Sequence, residues 1–376
     1  MNRKTMFGQA VAFLLLLGAG AALAAPVIFS SGFTFPFTIS QAPQGFGTYG
    51  GSFFIPDTGT GEIKVVPPGG LPPNGTPTVF QHVEGLIRGG VFLPPDFGAV
   101  GGQFAQLSAI ANPTDPGGPG VGRITTFDAT GKATILATGP NDPVTLFDPA
   151  IAPQGFGPYG GQLFLTSQFG DGSVLRVDQQ GNITPFAIRP QVQFPGVAGP
   201  VSIGATGIVF APPGFGSVGG MLLINDVDFS TLTAYIIALD PQGNASPFAA
   251  VPLGPGEFAP RQMAFAPADF GQYAGMMFLS IASSNDNSGR FGAVDVIDQA
   301  GHDIATLVQG SDVDAFNPRG LLFLPGGQLL ISDATPDPIY LATPGDFRSL
   351  QAPEPGSGLL LCAGLAALLS GLRRRG

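Results

Sequence analysis

Cysteine is nearly absent from this chain of 376 residues: the one thiol, Cys362, lies in an apolar stretch near the C-terminus. The body therefore has no disulfide, no thiol nucleophile and no cysteine metal site, and its stability must come from packing and ladder hydrogen bonds. Histidine is almost as scarce, and His82 and His302 are too few for a histidine-rich metal site. Basic residues are few as well: 15 Lys and Arg face 25 Asp and Glu, for a formal net charge of −10. Arg3, Lys4, Arg373, Arg374 and Arg375 sit in the terminal segments, so the body between them is more acidic still. Such a surface repels a phosphate backbone, which argues against a nucleic-acid partner. No G-x-S-x-G stands beside a usable histidine, so a serine nucleophile has no support.

Glycine and proline, by contrast, are abundant, at 58 and 38 residues. Without a period that content would suggest low complexity. Here it punctuates apolar runs in a chain that is 44% hydrophobic, enough for a core. One motif recurs: GFGTYGG at 45–51, DFGAVGG at 96–102, GFGPYGG at 155–161, GFGSVGG at 214–220 and DFGQYAG at 269–275. The central phenylalanines, Phe46, Phe97, Phe156, Phe215 and Phe270, are about 50 to 60 residues apart, a period that with strand-like content points to a radial β-repeat. Three copies formally match the dinucleotide fingerprint G-x-G-x-x-G. That motif needs a following helix N-terminus, and here an apolar strand follows, so we read a glycine-lined loop pinned by its aromatic side chains.

Around the third copy, apolar runs at 150–152, 162–166, 173–177 and 183–187 are separated by turn residues, and V-D-x-x-G-N recurs between third and fourth runs. Four short strands per unit make the antiparallel meander of a propeller blade. The stretch 25–352 holds six such units. The sixth is degenerate: Pro318 to Asp333 carries Pro325-Gly326-Gly327 in place of the motif, and no fourth strand follows Leu341. The spare N-terminal run Val27 to Ser31 supplies it. The expected fold is an all-β, six-bladed β-propeller closed by the N-terminal strand, flanked by a signal peptide and a C-terminal hydrophobic sorting helix.

The ends read as processing segments. Residues 1–24 have a basic start, an apolar centre at 11–17 and a small-x-small site, Ala22-Leu23-Ala24, as in a secretory signal. The propeller is expected over 25–345, and the linker and tail over 346–376. In that tail Pro353-Glu354-Pro355 precedes an almost wholly apolar stretch, 358–372, and then Arg373, Arg374 and Arg375. The apolar stretch is short for a stable span, and the arginines would hold that end in the cytoplasm. The three-part order resembles the PEP-CTERM sorting signal of exported Gram-negative proteins. The resemblance implies the Sec machinery and an exosortase as partners during export, transient membrane insertion through the C-terminal helix, and a cell-surface or extracellular destination beside polysaccharide or envelope components.

Gly207-Ile208-Val209-Phe210-Ala211-Pro212, Leu329-Leu330-Ile331-Ser332-Asp333 and Val174-Leu175-Arg176-Val177-Asp178 resemble units of the NHL and gluconolactonase-like six-bladed propellers. Enzymes of that group hold a divalent metal through a Glu, Asn and Asp set in the channel. Glu84 is the nearest first ligand here, and the rest of the set has no counterpart at comparable positions. Inner strands line a propeller's channel, so His82, Glu84, Glu257, Arg261 and Arg319 are candidates to converge near one mouth. Oxygen-rich loops nominate Asp226, Asp228 and Asp286 as Ca²⁺ ligands, against their ordinary role in capping turns. His302 is expected to be a solvated turn residue. With no catalytic constellation in view, the expected function is an exported binding or structural module, and the alternative is a metal-dependent lactonase-like hydrolase.

Overall fold

The aromatic–glycine motif folds, in each of its five copies, as a short 3-10 turn joining two antiparallel strands: Gly47–Tyr49, Gly98–Val100, Gly157–Tyr159, Gly216–Val218 and Gly271–Tyr273. The phenylalanine amide donates back to the proline carbonyl three residues earlier, as from Phe46 to Pro43 and from Phe156 to Pro153, both at 2.9 Å. The side chain then turns inward. Phe97, Phe156 and Phe270 are wholly buried. Phe156 meets Phe164 of its own unit edge-on at 5.6 Å and Phe210 of the next unit at 4.8 Å. Each such ring removes a large apolar area from water, worth about 1.5–3 kcal/mol, and locks one unit to its neighbour.

The computed structural model describes residues 26–70, 76–111, 120–139, 146–167, 172–202, 204–254, 257–283, 292–307, 316–334 and 338–350. The expected signal, the PEP motif with its apolar stretch and arginines, and Asp286 lie outside these residues. Among the described residues the chain is all-β apart from 3-10 turns.

Six antiparallel sheets follow one another as blades. Blade 1 comprises Ser40–Gln41, Phe53–Asp57, Glu62–Val66 and Thr78–His82. Blade 2 has Leu86–Phe92, Phe104–Ile110, Val121–Phe127 and Ala133–Thr138; blade 3 has Leu146–Ile151, Leu163–Ser167, Ser173–Val177 and Ile183–Ile188. Blade 4 has Gly207–Phe210, Leu222–Asp228, Thr233–Leu239 and Ala245–Pro252; blade 5 has Glu257–Phe265, Met277–Ser283, Ala293–Ile297 and Asp303–Leu307. Blade 6 has Pro318–Leu324, Gln328–Asp333 and Ile339–Ala342, and its outer strand is the N-terminal Val27–Ser30, with Val27 opposite Leu341 and Ile28 opposite Tyr340. The N-terminal strand thus closes the ring, which covers an edge that would otherwise invite association. One pairing extends past the boundary expected at residue 345: Arg348–Ser349 adds a fifth strand to blade 5.

Antiparallel meanders sort the connections by face. Loops between first and second strands, and turns between third and fourth, fall on one side of the ring. This side is regular. Gly216 of blade 4, for example, lies so close to the blade 5 turn that a Cβ on it would stand 2.3 Å from the Gln299 carbonyl oxygen. In those turns Asp128, Asp178, Asp240 and Asp298 each accept two backbone N–H bonds from residues two and four positions on. The other side carries the second-to-third loops and the crossings between blades, which share no motif. Function is expected on that irregular side, since irregular loops on a rigid scaffold carry binding groups.

Candidate axial site

Four inner strands carry a register shift at the same place, between Ile87 and Gly90, Leu146 and Pro149, Pro260 and Met263, and Pro318 and Leu321. A bulge re-aims side chains and leaves backbone groups unpaired. Polar side chains take up those groups between blades: Asn225 Nδ2 donates to the Arg261 carbonyl at 2.8 Å, and Ser280 Oγ to the Arg319 carbonyl at 2.7 Å. Ser332 Oγ donates in the same way to the Phe37 carbonyl, across the closure between blades 6 and 1.

The bulge presents one residue of each inner strand to the axis. Counting back four positions from the end of each inner strand gives Phe37, Arg88, Phe147, Thr206 and Arg261 in blades 1 to 5, and in blade 6 the residue at the same place in the register shift is Arg319, five back from Leu324. Contacts between non-adjacent blades confirm that this girdle surrounds the axis. The Phe37 and Phe147 rings, from blades 1 and 3, meet edge-to-face at 4.9 Å. Arg261 of blade 5 lies 5.6 Å from the Phe147 ring centroid, and Arg88 of blade 2 lies 5.6 Å from Phe37 and 5.5 Å from Phe147. Arg319 lies 5.2 Å from the ring of Phe35. Thr206 instead keeps its hydroxyl within reach of Asn225 Oδ1 and the Pro260 carbonyl.

Three guanidinium groups therefore share one small space between phenylalanine faces, a favourable seat for a cation. Burial and mutual repulsion act against them. Burial, then the Arg88 charge, draws the Arg261 pKa down to about 10, with Asp226 pulling it back up. Burial, then Arg261 and Arg88, holds Arg319 well below the usual range, and Asp333 partly offsets this. An arginine side chain is not deprotonated in proteins, so the three face one another as cations. Arg88 Nε, Arg261 Nε and Nη1, and Arg319 Nε are buried with no hydrogen-bond partner among the described residues.

The sequence candidates divide. Arg261 and Arg319 come together at the axis, and Glu257 begins the strand that carries Arg261, its carboxylate accepting the Gly254 amide at 2.6 Å. Burial raises the Glu257 pKa. His82 does not join them. It ends the outermost strand of blade 1, largely exposed, with Nδ1 3.6 Å from Glu62. Glu84 sits in the crossing toward blade 2, where Arg123 Nη2 donates to it at 2.9 Å. Proximity in sequence to an inner strand did not imply proximity to the axis, because the chain travels the blade's full width between Thr78–His82 and Leu86–Phe92. His302 is a solvated turn residue, its Nδ1 3.2 Å from Asp298. Arg88, Phe37 and Phe147 escaped sequence reasoning. The shared pattern R-x-x-x-F at Arg88, Arg261 and Arg319 was the signal available.

A divalent metal fits this site poorly. Asp226 accepts the Val227 and Gly204 amides, with burial raising its pKa, and Asp228 is occupied by Ser230 N and Oγ at 2.8 and 2.7 Å. Among the described residues no group of three or more His, Cys, Asp or Glu side chains is placed to hold a metal ion. Of the six girdle residues, three are cations that repel a metal ion, two are phenylalanines that give it no ligand, and the Thr206 hydroxyl is engaged with Asn225.

No protein-family model matches this sequence, and neither does any curated protein. Solved structures do. A gluconolactonase from Xanthomonas campestris superposes with a TM-score of 0.53 at 14% identity, over 86% of this chain and 93% of that one. The calcium-binding protein regucalcin from Agrobacterium tumefaciens gives a TM-score of 0.53 at 14% identity, over 85% and 93%. A glucose dehydrogenase gives 0.56 at 14%, over 88% of this chain and the whole of its own. At that identity the likeness is one of fold: this chain is a six-bladed β-propeller similar in architecture to gluconolactonase, regucalcin and sugar dehydrogenases.

Proposed function

We propose that this protein acts on a small carbohydrate-derived molecule at the axial mouth of its irregular face. The observation that carries the reading is the girdle of Arg88, Arg261 and Arg319, which gathers three guanidinium groups on the axis and leaves Arg88 Nε, Arg261 Nε and Nη1 and Arg319 Nε without a hydrogen-bond partner among the described residues. A few polar groups converging among apolar side chains are the default place to look for a ligand on a scaffold like this. Fold likeness to a gluconolactonase and a glucose dehydrogenase supports a sugar-derived ligand. It also favours lactone hydrolysis over binding alone. Guanidinium donors suit the negative charge that develops on a lactone carbonyl oxygen as water adds to it.

The second reading is an exported module that binds without turnover, supported by the terminal segments. In it, secretion by way of residues 1–24 and sorting at Pro353-Glu354-Pro355 place the propeller at the cell surface or in its polysaccharide. Mass spectrometry of the mature chain, with new ends near Ala24 and the PEP motif, tests that address.

A panel of aldonolactones, sugar acids and neutral sugars, assayed for hydrolysis and for saturable binding with and without divalent metal, separates the readings. Hydrolysis sensitive to Arg88→Gln supports the lactonase type. Saturable binding without turnover supports the module. Binding of no sugar or lactone overturns the proposal.

A further inference from the structure

The girdle carries a charge that no group among the described residues cancels. Arg88, Arg261 and Arg319 come from blades 2, 5 and 6, yet their charges act on one another across the axis. Two carboxylates lie near enough to be felt, Asp226 by Arg261 and Asp333 by Arg319, so one positive charge is left over. Both carboxylates are engaged by backbone amides, Asp226 by Gly204 and Val227 and Asp333 by Asn317 at 3.0 Å. Arg88 Nε, Arg261 Nε and Nη1, and Arg319 Nε are buried without a hydrogen-bond partner among the described residues. Arg319 as a whole is only 5% exposed. Native structures rarely leave such donors empty; an ordered water or an ion fills them. Phe37 and Phe147 are buried and packed edge-to-face on each other at 4.9 Å, so whatever reaches these nitrogens is of atomic size.

We infer that the axis holds one monatomic, monovalent anion, chloride, with the guanidinium groups of Arg88, Arg261 and Arg319 as its donors. A water in the same place would accept from some of the N–H groups and leave the charge standing, and a buried cation without a counter-charge is costly. A single anion answers both demands. Its charge equals the excess beside Asp226 and Asp333, which a dianion would overshoot. A spherical ion also accepts from any direction, whereas a carboxylate is matched by one planar guanidinium fork. The inference goes beyond the sugar reading and does not depend on it, because it concerns the buried nitrogens and not what enters the mouth.

Thermal melts of the purified full-length protein, dialysed free of chloride and held at constant ionic strength with sodium fluoride, test this. Fluoride is the more tightly hydrated ion and should substitute poorly. Chloride is expected to raise the melting temperature saturably, by roughly 3 °C or more. Bromide should replace it, and a crystal soaked in bromide should scatter anomalously between the three guanidinium groups. Arg261→Gln and Arg319→Gln each remove the excess charge together with donors, so each should abolish the chloride dependence. A melting temperature that follows ionic strength alike for every salt overturns the inference, and water then fills the donors. Chloride stabilisation that persists in both variants places the anion elsewhere and overturns it too. Bromide found on the surface alone, an adventitious ion only, does the same. Where neither variant folds, the bromide position in the parent protein decides. The sugar panel, run with and without chloride, stands or fails separately.

Discussion

Asp57 and Lys64 form an ion pair at 2.7 Å inside blade 1, with the carboxylate fully buried and the ammonium nearly so. The pair reaches beyond its own sheet. Asp57 also accepts the amides of Thr34 and Phe35 at 2.9 and 2.7 Å, and Lys64 donates to the Gly32 carbonyl at 2.9 Å. Residues 32–35 are the link between the N-terminal strand, which completes blade 6, and the inner edge of blade 1. A single buried charge pair thus holds the join of the ring.

Breaking a buried pair leaves one charge uncompensated, at about 3–5 kcal/mol. Asp57→Ala strands two amides and leaves Lys64 with only Glu62, at 3.6 Å, as its counter-charge, so it is expected to cost about 2–3 kcal/mol in urea unfolding. Lys64→Met leaves Asp57 with its two amide donors and should cost less. A loss under about 1 kcal/mol for Asp57→Ala would show that the join is held by strand pairing alone.

The aromatic–glycine motif contains glycines of opposite sensitivity. Gly216 has φ of +50°, and a Cβ there would stand 2.3 Å from the Gln299 carbonyl of the neighbouring blade. Gly214, two residues earlier, has nothing within 4 Å of a Cβ. Gly216→Ala is expected to cost about 2 kcal/mol or more, from left-handed strain and a forced separation of blades 4 and 5. Gly214→Ala should fall within about 0.5 kcal/mol of the parent. Equal effects in thermal melts would mean that the motif is not an inter-blade joint.

Much of this architecture was legible because a repeat states its own period. Phe46, Phe97, Phe156, Phe215 and Phe270 marked the blades, and the missing fourth strand after Leu341 pointed to Val27–Ser30 as the closure. The axial site was harder to read. Arg88 lies in Leu86–Phe92 without any local feature that distinguishes it from a surface arginine. Only superposing the blades on their shared bulge puts it level with Arg261 and Arg319. His82 misled for the complementary reason: adjacency along the chain at a blade crossing is separation in space. The sugar-enzyme likeness is a property of the fold and left no catalytic motif in the sequence.

Asn225 links the fold to the girdle. Its side chain is wholly buried, donates to the Arg261 carbonyl at 2.8 Å and accepts from the Gly207 amide at 3.0 Å. Asn225→Ala orphans both groups and is expected to cost about 2 kcal/mol or more. The bulge that aims Arg261 should loosen with it, so affinity for the carbohydrate-derived ligand should fall further than stability explains. Arg261→Gln in the same background should then add little affinity loss, which a double-mutant cycle by calorimetry measures.

Asp148 gives the ring a pH dependence of definite sign. It is buried beside the axial Phe147, with Oδ2 accepting the Ile208 amide at 3.1 Å and Oδ1 without a partner among the described residues. Burial pushes its carboxyl up to about 8, from an ordinary 3.8. Between those values the folded chain holds a proton that the unfolded chain releases, so stability is full below the lower value and declines as pH rises through the window. The slope is at most about 1.4 kcal/mol per pH unit for one group. Asp148→Asn keeps an acceptor for Ile208 and removes the titration. Unfolding free energies from pH 5 to pH 8 should fall for the parent and stay flatter for the variant, with the variant the more stable at pH 8. Parallel curves would mean that Asp148 is ionised in the folded protein, with its second oxygen reached by water.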